Sequence, residues 1–202
     1  MYTAADLDYL RTNYFTLEQI CAGRPESPEQ VRALIADERM PKPSYILDDG
    51  TELYPVDYFR FVDEAGGPNV LRARFAERLE TAGAGEDLHL HWRSYMDGIY
   101  GVCLRDVTPE TIARKARLVS SISELLMLAR PADPEWQQRL RTEVEELDAL
   151  ERQFTPDYDR DEARFGRKPT RDLLIDAARE RYPEAFSAPP SRTGRNVKLA
   201  CR

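Results

Sequence analysis

A mainly α fold is predicted for this chain: a small helical module carrying one β-hairpin, then a longer all-helical part. Three observations predict it. Ser, Thr or Asp stands directly before most apolar-periodic runs, with proline next at Ser27-Pro28, Thr108-Pro109 and Asp133-Pro134, which is how helices start. Apolar residues recur at three- and four-residue spacing through most of the sequence. One stretch alone, 44–54, carries short β-favouring runs around an Asp49-Gly50 turn.

The elements follow in order. Residues 4–12 form a first helix with Leu7, Leu10 and Tyr9 as its apolar stripe. Thr16 caps a short helix that runs through Ala22. After the turn 23–26, Ser27 caps the next helix, Pro28 takes its first position and Gln30 completes a capping box. Its buried face is Val31, Leu34 and Ile35. Pro41 and Pro43 end it. Strands 44–47 and 52–54 flank the hairpin turn, and Pro55 opens a helix carrying Tyr58, Phe59, Phe61 and Val62. Ala65-Gly66-Gly67-Pro68 breaks the pattern and sets a domain boundary, giving domains 1–65 and 68–182.

The second domain reads as helical throughout. Helices are expected over 69–82, over the aromatic-rich 86–104, from Thr108-Pro109 and from Asp133-Pro134. A charged loop covers 155–169, Thr170 caps a last helix to Tyr182, and the Pro-, Ser- and Arg-rich segment 183–202 is expected to be a mobile tail.

Composition narrows the function classes. The chain has 202 residues, 32% of them charged, with a mean hydropathy of −0.60. No apolar run reaches the roughly 20 residues needed to cross a bilayer, and 1–6 lacks the basic and apolar parts of a secretory signal. A cytoplasmic protein without a membrane partner is the expectation. Cys21, Cys103 and Cys201 are too dispersed for a zinc site or a disulfide framework, so no metal is expected. No P-loop, GxGxxG, HExxH or GxSxG occurs, and no cofactor is expected. The net charge of −7 lies wholly on 1–65, which carries 13 acidic and 6 basic residues.

Two short helices, a hairpin and a further helix over 14–62 resemble the winged helix-turn-helix DNA-binding domain of the MerR and excisionase families. The resemblance is carried by the second helix, Pro41-Lys42-Pro43, the aromatic strand and Tyr54-Pro55. It implies a groove-reading helix at 28–39, a wing at Asp48-Asp49-Gly50, and Arg32, Arg39 and Lys42 as DNA contacts. Charge argues the other way, because affinity for DNA rests on neutralising phosphates with Lys and Arg, and this wing carries two carboxylates. DNA binding is the less expected outcome, with a scaffold or protein-contact role before it.

More of the chain, 5–185, resembles a family of uncharacterised actinobacterial proteins encoded beside natural-product gene clusters. The shared residues are Tyr9-Leu10 with Asn13-Tyr14-Phe15, Pro41-Lys42-Pro43-Ser44-Tyr45, Arg164-Phe165-Gly166-Arg167 and Thr170-Arg171-Asp172. The resemblance implies a role in secondary metabolism and assigns no catalytic residue.

Three clusters could carry chemistry in the helical part. His89-Leu90-His91-Trp92-Arg93 holds the only two histidines; spacing of two puts them on one face of a strand but not of a helix. Tyr95, Asp97, Tyr100 and Lys115 form a second group, read as packed tyrosines and a solvated basic stripe. In the third, carboxylates alternate over 157–161, but Glu162 and Lys168 occupy positions where a calcium loop needs Gly and Glu. Its arginines could instead clamp a carboxylate or phosphate. The reading that follows is an accessory protein or cofactor-independent enzyme of natural-product biosynthesis. It binds a small anionic metabolite through Arg93, Arg160, Arg164 and Arg167, with His89 and Tyr95 as candidate catalytic groups. Alternatives are a MerR-like regulator with a helical sensor or dimerisation domain, and a protein-interaction module. A pathway protein or a second copy of the chain are the candidate macromolecular partners.

Overall fold

The computed structural model describes residues 1–166 and 168–187, so Arg167 and 188–202, with Cys201, lie outside the described residues. The mainly helical expectation holds. Helices α1 (Ala4–Asn13), α2 (Leu17–Ile20) and α3 (Pro28–Ala36) start from Thr3, Thr16 and Ser27, each with a reciprocal capping box. A two-residue strand β1 (Tyr14–Phe15) lies between α1 and α2. The sequence carries no signal for it, because two aromatic residues have no periodicity to read. β2 (Tyr45–Ile46) and β3 (Glu52–Pro55) form the expected hairpin, and β3 also pairs antiparallel with β1, giving the order β1-β3-β2. Pro55 therefore closes a strand, opposite Tyr14, and does not open a helix. Helix α4 (Arg60–Ala65) begins later, after a turn in which Tyr58 and Arg60 bond back to the carbonyls of Pro55 and Asp57.

The helical part comprises α5 (Leu71–Thr81), α6 (Leu88–Met96), α7 (Ile99–Cys103), α8 (Pro109–Met127) and α9 (Pro134–Leu150). Thr108 and Asp133 cap α8 and α9 as expected. The run 86–104 is split at Gly98, whose φ of +74° ends α6 and turns the chain into α7. An added Cβ there would lie 2.6 Å from the Lys42 and Pro43 carbonyl oxygens. The corner thus exists to let the backbone of 42–43 approach.

Three expectations about the C-terminal part are corrected. The charged stretch 155–169 is not a free loop: it holds a 3-10 turn at Tyr158–Arg160 and the short helix α10 (Glu162–Phe165). The fully buried Asp6 carboxylate accepts the N–H groups of Asp157 and Tyr158 at 2.9 and 3.2 Å, and Tyr45 Oη donates to Asp159 at 2.7 Å. Thr170 is itself helical and makes no capping bond; the chain enters a π-helical turn (Arg171–Asp176) that runs straight into α11 (Ala177–Arg181). The segment expected to be mobile begins with α12 (Pro183–Phe186), whose Ala185 is buried and whose carbonyls at Ala185 and Ser187 accept from Arg141. The rest of it lies outside the described residues.

Packing does not follow the boundary placed at 65–68. One apolar core unites Leu17, Val31 and Tyr54 with Phe75, Tyr95 and Ile112. A second lies among α8, α9, the π turn and α11–α12, and a third joins α1 to the sheet. The N-terminal module and α5–α8 share a single interior.

Candidate functional site

A cleft of about 770 Å³ opens between the end of α5, the turn 83–87, α6 and α8. Small residues make the space: Ala76 on α5 faces Ala113 and Ala116 on α8. Its mouth carries the exposed Glu80, Glu86, Asp87 and Arg117. Its inner wall includes His91, only 7% exposed.

His91 is there because α6 is a helix. The inward stripe of α6 is Leu88, His91, Trp92 and Tyr95, with His91 and Tyr95 buried and the other two half-buried, so His91 faces the interior and His89, two residues earlier, faces solvent. His91 Nδ1 lies 2.6 Å from Tyr100 Oη on α7, and Nε2 is buried with no hydrogen-bond partner among the described residues. Burial pushes the imidazole below its ordinary pKa, opposed by Asp87, and pushes the Tyr100 phenol up to about 12. Both rings are therefore neutral at pH 7. Two tautomers fit: Tyr100 donates to Nδ1 and Nε2 carries the proton, or Nδ1–H donates to Tyr100 and Nε2 offers a lone pair.

Beneath Tyr100 lies a second buried group. Cys103 Sγ contacts the Tyr100 carbonyl at 3.8 Å, and Lys115 Nζ is 2.7 Å from Glu151 Oε1. The Glu151 side chain is fully buried and that of Lys115 is 12% exposed. The reading of Lys115 as part of a solvated stripe is therefore wrong. Burial alone would favour loss of its proton, but Cys103 and Glu151 outweigh it and hold the ammonium above its ordinary range. The Cys103 thiol is pushed up by burial, which makes it inert at neutral pH.

The residues singled out from the sequence do not converge. His89 is exposed. Tyr95 is packed among Phe61, Phe75 and Trp92 with ring centroids 5.2–5.8 Å away, and burial holds its phenol above the ordinary range. Its place is the core. Arg93 is 76% exposed and, among the described residues, pairs only with Asp97, at 3.8 Å. Arg160 bonds Asp172 at 3.1 Å and the Thr155 carbonyl at 2.5 Å. Arg164 lies 3.8 Å from Asp161 and over the Tyr158 ring at 4.5 Å. Arg167 lies outside the described residues. Arginine clamping gives way, among these residues, to salt bridges and ring packing. The DNA candidates are also engaged: Arg32 with Glu18 at 2.6 Å, Arg39 with Asn69, Lys42 with Asp97 at 2.8 Å. Among the described residues no three His, Cys, Asp or Glu side chains form a metal-binding group, and no helix is long and apolar enough to cross a membrane.

His91 has a signal in the sequence. Placing Leu88, His91 and Tyr95 at helical spacing leaves His91 on the apolar stripe and His89 off it. The Lys115–Glu151 pair had no such signal, since 36 positions separate its members.

A family model described as a family of unknown function (DUF6058) matches residues 60–183. That is more than half of the chain, and the chain belongs to this family. The matched span contains the whole cleft and the Lys115–Glu151 pair and begins at the first residue of α4. No curated protein and no solved structure matches the chain.

Proposed function

We propose that the chain is a cytoplasmic small-molecule-binding protein of natural-product biosynthesis, an accessory protein or cofactor-independent enzyme, with its site in the cleft between α5, α6 and α8. One observation carries the site: a buried, neutral histidine lines a cleft of ligand size and, among the described residues, leaves Nε2 unpaired. An orphaned buried polar group costs roughly 1–3 kcal/mol, and a ligand that bonds to it recovers that cost. The volume falls within the roughly 300–1,000 Å³ of small-molecule sites. The pathway context rests on the resemblance described above. The mouth carries three carboxylates and one guanidinium, which turns the expected ligand charge away from anionic.

Histidine NMR tests the site, because the chain has two histidines and only one lines the cleft. A pool of candidate metabolites is expected to contain a compound that shifts the His91 ring signals and leaves those of His89 in place. Compounds that bind elsewhere, with His91 unmoved, would remove the cleft from consideration.

A second reading concerns 1–65. The element order α1-β1-α2-α3-β2-β3 and the strand order β1-β3-β2 support a winged helix-turn-helix arrangement. Arg32 and Lys42 are already in salt bridges, Arg39 bonds to Asn69, and the hairpin tip exposes Asp48 and Asp49, so a basic protein partner suits this face better than phosphate. Binding to fragmented genomic DNA at low and moderate salt separates the two: retention of a defined sequence at moderate salt favours the regulator.

A further inference from the structure

We propose that the cleft takes a small organic cation, an alkylammonium whose N–H groups reach His91 while its charge sits among Glu80, Glu86 and Asp87. The inference rests on the reading of the cleft as a ligand site and adds the class of ligand.

Two independent features point to it. The first is charge that is left unspent. Other carboxylates of α4, α5 and α8 are taken: Glu77 by Arg74 at 2.7 Å, and Glu64 and Glu110 by Arg78 at 2.8 and 2.7 Å. Glu80, Glu86 and Asp87 line the cleft and make no salt bridge among the described residues. Arg117 is the one basic side chain among the lining residues, against three acidic ones. The second feature is His91, 7% exposed and, among the described residues, unpartnered at Nε2. In the tautomer with the proton on Nδ1, that proton goes to Tyr100 Oη and Nε2 can only accept. An ammonium has donors alone, so it completes the imidazole and meets the carboxylates. An anion could select the other tautomer and find a donor at Nε2, but it would meet three like charges.

Burial also fits the ligand. A histidine held neutral does not repel a cation, whereas an imidazolium would. The alanine floor between α5 and α8 gives an alkyl chain an apolar surface without competing hydrogen bonds.

The test is calorimetric titration of the full chain with 1,4-diaminobutane and with succinate, two probes of equal length and opposite charge. Diaminobutane is expected to bind, and the variant Glu80→Gln/Glu86→Gln to weaken it roughly three- to tenfold. Both positions are exposed, so the variant should keep the wild-type melting temperature. His91 ring signals are expected to move with diaminobutane. Binding of succinate alone, lost in Arg117→Ala, would overturn the cation inference and leave the cleft as a site. No heat from diaminobutane up to about 10 mM, a limit well above millimolar affinity, would also overturn it. The histidine experiment above would then decide separately whether the cleft binds anything. Diaminobutane binding unaffected by the double variant, with His91 unmoved, would place the cation elsewhere and refute the inference.

Discussion

Removing one member of the Lys115–Glu151 pair should destabilise the protein far more than removing both. Glu151 is fully buried, and its nearest cation is the Lys115 ammonium at 2.7 Å. Lys115→Met deletes that cation and leaves a carboxylate without solvent. Breaking a buried pair in this way costs about 3–5 kcal/mol. Replacing both, as in Lys115→Met/Glu151→Leu, removes the desolvation cost together with the attraction, and is expected within about 1 kcal/mol of the wild type. The coupling energy from the cycle should then be at least about 2 kcal/mol. Urea unfolding followed by Trp92 and Trp136 fluorescence measures it. The pH dependence has a definite sign. Lys115 has a raised pKa in the folded chain, so its contribution is complete below the ordinary lysine value and is lost as pH rises through the folded one. A cost below about 1 kcal/mol for Lys115→Met, the level of an exposed ion pair, would refute the buried-pair argument and restore the solvated lysine read from the sequence.

Three further outcomes follow from the geometry. Asp6 holds the turn at 157–158; burial opposes its charge, but N–H bonds from Asp157, Thr3 and Tyr158 outweigh this and place its pKa below the ordinary value. Asp6→Asn should cost about 1–3 kcal/mol. The wild type should lose this term only as pH falls from the ordinary aspartate value through the folded one, so the two acid-unfolding curves should converge there. Gly98→Ala combines a φ of +74° with a Cβ 2.6 Å from two carbonyl oxygens and should cost about 2–4 kcal/mol, whereas Gly50→Ala, at φ +84° in open space, should cost about 1–2; equal melting temperatures would show that the 42–43 contact is not tight. His91 should titrate by NMR below the ordinary histidine value, because burial dominates its shift; since its folded pKa is depressed, stability should fall as pH drops through the ordinary value and level off below the folded one.

Elements whose causes are local were legible before the structure. Thr16, Ser27, Thr108 and Asp133 each cap the helix they precede because a side-chain oxygen meets an N–H two or three residues on. Asp49-Gly50 turns the hairpin for the same kind of reason, with Gly50 at positive φ. The failures share a different cause. β1 exists only because β3 is beside it, and Pro55 is a strand residue only because Tyr14 pairs with it. Gly66-Gly67 bends the chain at the end of α4 without dividing the interior, because Leu17 and Val31 pack in one cluster with Phe75 and Ile112. A breaker marks a turn; it does not say whether apolar surface continues across it.

The candidate site shows the same division more sharply. Charged residues stand out in a sequence, and the arginines at 93, 160, 164 and 167 carry the ligand-binding expectation for that reason. In the fold two of them are spent on neighbours: Arg160 on Asp172, Arg164 on Asp161 and Tyr158. Function needs polar groups that the fold leaves unsatisfied, and a sequence does not display satisfaction. His91 differs from His89 by a rotation of about 200° around α6, which exchanges solvent for a cleft and a Tyr100 partner. The carboxylates at 80, 86 and 87 look like ordinary surface charge until α5, the 83–87 turn and α8 close around the same space. What singles that space out as the proposed site is therefore a conjunction: an acidic mouth, an apolar floor and one buried nitrogen without a partner among the described residues. Each part alone has a structural explanation. Together they leave a cost of roughly 1–3 kcal/mol that no described residue relieves and that a ligand carrying N–H donors would.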